Sequence, residues 1–233
     1  MKIIILNLAT DIDDSVLGFT SEWINSLAQY FEHIYVLSMK VGKLELRENV
    51  TVYSLSGKNK NSKINIIFNM YKLVLKITSN TKISSCFAHM TPKQLCFIWP
   101  LLKIKKIKSL LWYEHGSVSL ILRLASKLCD KSISASKYGF KINSSKHSIV
   151  GHGINESLFY DTKNYQNDDR TSINLNYVGR ISKIKNIHQI LEAIKILKNK
   201  FENIRIISNI YGDPLGKDSE HYFNYLKNFC IKN

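Results

Sequence analysis

Arg180 and Lys185 are the side chains of this sequence best placed to hold an anion. They stand in Asn176-Tyr177-Val178-Gly179-Arg180-Ile181-Ser182-Lys183-Ile184-Lys185-Asn186-Ile187. That stretch reads as a strand, a glycine turn, a basic loop and a helix whose apolar face is Ile187, Ile190, Leu191, Ile194 and Leu197. Asn186 is a candidate N-cap. Arg180 leaves the strand end and Lys185 precedes the helix, so both cations converge on its positive pole. Free backbone N–H groups, a helix dipole and two cations make an anion site, most naturally for a diphosphate. Arginine suits it because its planar fork bonds two phosphate oxygens at once. The same residues also suit a solvated basic loop, and the local chemistry leaves both readings open.

Other chemistry is poorly supported. Cys86, Cys96, Cys129 and Cys230 form no C-x-x-C pair, which argues against zinc or a disulfide framework and for a reducing compartment. Asp11-Ile12-Asp13-Asp14 falls in a polar loop and is read as solvated, so no metal is expected. His89 and His152 are read as structural. No G-x-G-x-x-G follows the first strand, where Asn7-Leu8-Ala9-Thr10-Asp11 stands instead, which disfavours a dinucleotide-dependent oxidoreductase.

These residues must be positioned by an alternation of strands and helices. Strands are expected at Ile3–Leu8, Ile34–Ser38, Val50–Leu55, Cys86–His89, Ser109–Tyr113, Ser132–Ala135 and His147–Val150. Between them, Ser21–Phe31, with Thr20 or Ser21 as cap, and Ile64–Ile77 read as helices. Such alternation implies right-handed βαβ units and a parallel sheet covered on both faces. Gly151-His152-Gly153 makes a turn and Asn164–Thr171 reads as an exposed connection. The pattern then restarts with strand Ile173–Val178, helix Ile187–Lys200, strand Ile204–Tyr211 and a helix near Glu220–Phe229. The expected organisation is a domain over 1–150, a linker over 151–171 and a partial second domain over 172–233. A chain of 233 residues leaves too little after position 150 for a second domain matching the first, so a fragment is expected.

Composition narrows the partners. With 45% hydrophobic residues and only 3 prolines, the chain is neither collagen-like nor broadly disordered. Its 33 Lys+Arg against 18 Asp+Glu give +15, which points to an anionic partner surface. Residues 103–146 hold ten basic and two acidic side chains. They either decorate helix surfaces or form a basic face against an anionic membrane. Met1–Ala9 is too short and too polar afterwards for a signal peptide, and no apolar run reaches membrane-spanning length, so a cytoplasmic protein is expected. No nucleic-acid module is recognisable, and no nucleic-acid partner is expected.

The Gly179-Arg180…Lys185 stretch resembles the Gly-Arg-x-x-x-x-Lys-Gly motif that opens the C-terminal domain of family 4 retaining glycosyltransferases, which have the two-domain GT-B fold. The similarity continues in the glycine-bearing loop Leu17-Gly18-Phe19-Thr20-Ser21-Glu22-Trp23 and in the strand-end loops Phe87–Pro92 and Leu111–Gly116. It extends to the segment from Val150 through Phe159 and to Tyr211-Gly212-Asp213-Pro214. The resemblance implies an α/β fold with a complete N-terminal Rossmann-like domain and the first part of a second. It implies a nucleoside-diphosphate sugar donor, no cofactor, and a glycan or lipid-linked acceptor. By this likeness Arg180 and Lys185 hold the donor diphosphate beside Gly179, Gly212 and Asp213. Gly18 lets the first loop approach donor or acceptor, and His115 touches the reacting sugar or orients the acceptor. Gly18 also suits a plain turn, and His115 a structural histidine. Asn186 replaces the family's usual glycine, and no glutamate pair eight positions apart is present. The expected activity is sugar transfer with retention in cell-envelope glycan or polysaccharide synthesis, peripheral at the inner face of a membrane. The alternative is an inactive, truncated relative that retains acceptor or membrane binding.

Overall fold

The computed structural model describes residues 1–56, 63–156, 172–201 and 203–232. Phe159 and the expected connection at 164–171 lie outside the described residues. The chain divides into two compact units, Met1–Asn155 and Glu156–Asn233.

The first unit is built around β1 (Lys2–Thr10), whose apolar run is buried on both sides. Ile3 and Ile5 pack on one side, Ile4 and Leu6 on the other, as a central parallel strand requires. After α1 (Phe19–Ala28) come β2 (His33–Val41) and β3 (Val50–Ser54), joined by a loop rather than a helix. Then α2 (Lys63–Asn80), β4 (Ser85–His89), α3 (Pro92–Ile104), β5 (Lys108–Trp112), α4 (Leu120–Leu128) and β6 (Lys131–Ser134) alternate, and β7 (His147–Ile149) closes the sheet. The order is β3-β2-β1-β4-β5-β6-β7 with every pair parallel. Connections leave β1 to both sides, which opens a crevice at the carboxyl ends of β1 and β4.

The two faces are covered unequally. On the Ile3 and Ile5 face, Ile24 and Ala28 of α1 pack with Leu46 from the β2–β3 loop. On the opposite face α2, α3 and α4 bury Met70, Val74, Leu95, Ile98, Leu102 and Leu122 over Ile4, Leu6 and Leu111. Lys146 Nζ donates to the carbonyls of Lys127 and Cys129 at 2.7 and 3.0 Å, a cation on the negative end of α4.

The start of α1 differs from expectation. Neither Thr20 nor Ser21 caps it: Gly18 is the N-cap residue and makes no side-chain bond. Asp14 prepares the turn instead, its carboxylate accepting the N–H groups of Val16 and Leu17 and its carbonyl that of Gly18. That releases the Thr20 hydroxyl for the crevice described below.

The second unit pairs β8 (Ser172–Val178) with β9 (Arg205–Tyr211) in parallel, in phase from Ser172↔Arg205 to Val178↔Tyr211. The crossover is α5 (Ile187–Lys200), and α6 (Lys217–Lys232) follows β9. Ile181, Ile187, Leu191 and Leu226 form its buried cluster. An open groove of about 340 Å³ runs between Leu191, Ile194, Ile206, Ile210 and Phe229.

Candidate functional site

The second unit's site grows from the in-phase ends of β8 and β9. The ladder continues past both strands: Gly179 N–H donates to the Tyr211 carbonyl at 2.9 Å and Ile181 N–H to that of Asp213 at 3.1 Å. Gly179-Arg180 and Gly212-Asp213, thirty-odd residues apart in sequence, are thereby neighbours. Glycine is required sterically at Gly212 and leaves room for the Tyr177 side chain at Gly179. A Cβ on Gly212 would lie 1.9 Å from the Gly179 carbonyl oxygen, and one on Gly179 would lie 2.9 Å from the Tyr177 hydroxyl. Tyr177 reaches over Gly179 to donate to the Arg180 carbonyl at 3.1 Å, which holds the turn.

Arg180, Lys185 and Asp213 are exposed. Among the described residues neither Arg180 nor Lys185 pairs with a carboxylate, and the same holds for Lys183, which the sequence reading passed over. Lys183–Lys185 form a 3-10 turn that ends on Asn186 in the left-handed region, φ 51°. Asn186 makes no side-chain cap bond. Its value is conformational: asparagine tolerates a positive φ that most residues resist, and a glycine meets the same demand. The first turn of α5 is closed by Tyr222 of α6. Its hydroxyl accepts the His188 N–H at 2.9 Å and lies in hydrogen-bond contact with His188 Nδ1 at 2.9 Å. Nothing near His188 in sequence signals this partner thirty-four residues away. The turn therefore presents three unneutralised cations beside two converging strand ends, an arrangement suited to an anion with several oxygens.

In the first unit the crevice at β1 and β4 is lined by a polar network. Asn7 Nδ2 donates to the Ala9 carbonyl at 2.6 Å and lies within 3.2 Å of the Thr10 and Thr20 hydroxyls. Thr20 donates to the Ala9 carbonyl at 2.7 Å, and Thr10 to Ser38 at 3.1 Å. His89 donates through Nδ1 to Asn7 Oδ1 at 3.2 Å, which fixes its neutral tautomer. Its ring is walled by Trp23 at 4.9 Å and by Phe19 and Phe87. Burial pushes the His89 imidazole from 6.5 down to about 4. Protonation is thus resisted in the folded state. The stability this gives is complete above about pH 6.5 and is lost as pH falls toward 4, a span worth about 3 kcal/mol. Urea-unfolding midpoints between about pH 7 and pH 4 should fall, and His89→Gln should flatten that fall. A slope unchanged by the substitution would mean other groups carry it.

Gly18 packs against its own loop: a Cβ there would lie 2.8 Å from the carbonyl oxygens of both Ile12 and Asp14. The acidic loop is solvated only in part: Asp13 is exposed, but Asp11 and Asp14 are not free in water. Asp11 is buried, accepts the N–H groups of Asp13 and Lys43, and shares Lys40 with Asp14 at 3.2 and 2.8 Å. Hydrogen bonding to Lys40 leads in holding both carboxyls down, Asp14 at about 2.

His115 lies just beyond β5, exposed. Its backbone N–H donates to the Gly139 carbonyl at 2.9 Å, and its Nδ1 accepts the Ser117 N–H at 3.2 Å, so Nε2 carries the hydrogen. Beside it Glu114 bridges β5 to the loop after β6. The carboxylate accepts from Ala135 N–H at 2.7 Å, Ser136 N–H at 3.2 Å and the Ser136 hydroxyl at 2.8 Å. Burial raises its pKa, yet these donors outweigh that and hold it below 4.5. His152 lies exposed, 6.2 Å from the Trp112 ring. Among the described residues no three His, Cys, Asp or Glu side chains gather as a metal site. No described helix is long and apolar enough to cross a membrane.

The sequence matches no protein-family model and no curated protein. Its fold is found in solved structures. Anabaena Alr3699/HepE in complex with UDP is 15% identical with a TM-score of 0.70, over all of this chain and 66% of that one. WaaG, a glycosyltransferase involved in lipopolysaccharide biosynthesis, is 10% identical at 0.58, over 98% of this chain and 67% of WaaG. The UDP-GlcNAc 2-epimerase from Methanocaldococcus jannaschii is 13% identical at 0.53, over 99% and 69%. This chain spans 66% of the length of HepE. The fold is α/β and GT-B-like, a seven-stranded parallel domain with part of a second one, as the motifs led us to expect.

Proposed function

We propose that this chain belongs to a glycosyltransferase that moves a sugar from a nucleoside diphosphate to an acceptor hydroxyl with retention, as in cell-envelope glycan or polysaccharide synthesis. The observation that carries this reading is the junction of Gly179-Arg180 with Gly212-Asp213 beside the unpaired Lys183 and Lys185. Arg180 and Lys185 grip the diphosphate and stabilise charge developing on the leaving group, with no metal needed. Gly179 and Gly212 let the backbone approach it, and Asp213 faces a hydroxyl of the donor. Uridine is the favoured base, because HepE was solved with UDP. His115 offers its Nε2–H to a sugar or acceptor hydroxyl. The acceptor is a glycan or lipid-linked hydroxyl, met by a protein resting peripherally on anionic lipid at the cytoplasmic side.

Titration with UDP-, GDP- and ADP-sugars, read by thermal shift, tests the site. Arg180→Ala or Lys185→Ala should weaken donor binding about 10- to 100-fold. Binding indifferent to both substitutions would remove the assignment. A second reading is binding of acceptor or lipid without transfer. Transfer of labelled sugar to a lipid-linked acceptor decides between the two.

A further inference from the structure

The three helices on one face of the large sheet contain no acidic residue. Across Lys63–Asn80, Pro92–Ile104 and Leu120–Leu128 there are seven Lys and Arg, three from α2 and two each from α3 and α4, and no Asp or Glu. The helices α1, α5 and α6 each carry at least one acid. The acid-free helices lie side by side. Tyr71 of α2 donates to the Phe97 carbonyl of α3 at 2.7 Å, and Trp99 of α3 to the Leu128 carbonyl of α4 at 2.7 Å.

Their inner stripes fill the core, and their outer stripes are also apolar. Ile64 and Phe68 on α2, Phe97 and Ile104 on α3, and Leu120 and Leu124 on α4 are exposed, Leu120 by 84% and Ile104 by 76%. Cations punctuate these stripes. Lys93 lies 5.9 Å from the Phe97 ring, and Arg123 and Lys127 flank Leu124 on the exposed side of α4. An apolar face ringed by lysine and arginine, with no acid on the three helices and the nearby Asp130 paired with Lys103 at 3.3 Å, matches the lipid–water interface of an anionic bilayer. A second copy of the chain fits badly, because a symmetric contact would set cations against cations.

We infer that the outer face of α2, α3 and α4 is the surface by which this protein docks on anionic membranes, its leucines, isoleucines and phenylalanines entering the headgroup layer while the cations meet lipid phosphates. This gives the lipid contact proposed above a location, and it depends on neither the donor site nor sugar transfer.

Co-sedimentation of the full chain with vesicles tests it. The chain should bind phosphatidylcholine vesicles containing about one-third phosphatidylglycerol, bind pure phosphatidylcholine at least about tenfold more weakly, and release in high salt. Leu120→Ser with Leu124→Ser, and separately Arg123→Gln with Lys127→Gln, should each weaken binding about tenfold. Both pairs are solvent-facing, so circular dichroism and UDP-sugar thermal shifts should match the parent, which separates this result from failure of the donor site. Failure of the parent chain to bind the acidic vesicles, or unchanged binding by both variants, would overturn the inference. So would a concentration-dependent dimer abolished by Leu120→Ser with Leu124→Ser, which would assign the face to a second copy.

Discussion

Gly212→Ala is expected to unfold the second unit while leaving the first intact. The new Cβ would sit 1.9 Å from the Gly179 carbonyl oxygen, a backbone atom that cannot swing aside as a side chain can. Relief requires the two strand ends to part, which breaks the bonds from Gly179 to Tyr211 and from Ile181 to Asp213. The φ of +147° adds strain for any residue with a Cβ. Together these cost about 3–5 kcal/mol. Among the described residues, six of the thirty-four buried apolar side chains, including Ile187 and Leu226, belong to this unit, a small core to absorb that. Trypsin followed by mass spectrometry should show rapid cleavage around Lys183, Lys195 and Lys198 in the variant, with residues 1–155 still protected. Gly216→Ala separates the two causes. Its φ is +82°, but nothing lies within 4 Å of the added carbon, so a loss of only about 1 kcal/mol is expected. If Gly212→Ala were as well protected as Gly216→Ala, the apposition of the two loops would be wrong.

Gly139→Ala should be a costly small substitution in the first unit's loops. Its Cβ would fall 2.0–2.2 Å from the carboxyl carbon and oxygens of Glu114. Expelling that carboxylate leaves the Ala135 and Ser136 N–H groups and the Ser136 hydroxyl without their acceptor. A loss of about 2–3 kcal/mol follows, since bonds to a charged acceptor are the stronger kind. A double-mutant cycle gives the decisive reading. With Glu114→Ala already present, the collision partner is gone and Gly139→Ala should cost less than about 1 kcal/mol. Additive losses in urea unfolding would show that Gly139 acts by some route other than Glu114. The same socket logic joins Gly42 and Asp11, where a Cβ would fall 2.1–2.4 Å from the carboxyl group.

Much of the fold was legible because hydrophobic period and burial coincide. The run Ile3-Ile4-Ile5-Leu6 is apolar on both sides because both sides are covered, and the face Ile187, Leu191, Ile194 is the face that packs. Chemistry that depends on backbone conformation was harder to read. Asn186 invites a capping interpretation by residue type, but its φ of +51° decides its role. The acidic loop reads as solvated because Lys40, which neutralises Asp11 and Asp14, lies about thirty positions away on the next strand. The carboxylate sockets were illegible for a related reason. A glycine reads as a turn, and only the fold shows that Gly139 makes room for Glu114. Arg180, Lys185, Gly212 and Asp213 were singled out through a motif resemblance, and the fold brings Gly179-Arg180 beside Gly212-Asp213, whereas the His188–Tyr222 pair carries no local signal and emerges only when α6 lies against α5.

The disparity in apolar filling between the two units has a thermodynamic corollary. A groove of about 340 Å³ stays open beside Leu191 and Ile206, so apolar side chains of the β8–β9 body are less fully covered than those of the large sheet. An anion bound at its strand ends would add cohesion where the two strands meet. An anion that bound only the ordered body would stabilise it by mass action, so thermal unfolding of that unit should shift upward with the concentration of a UDP-sugar.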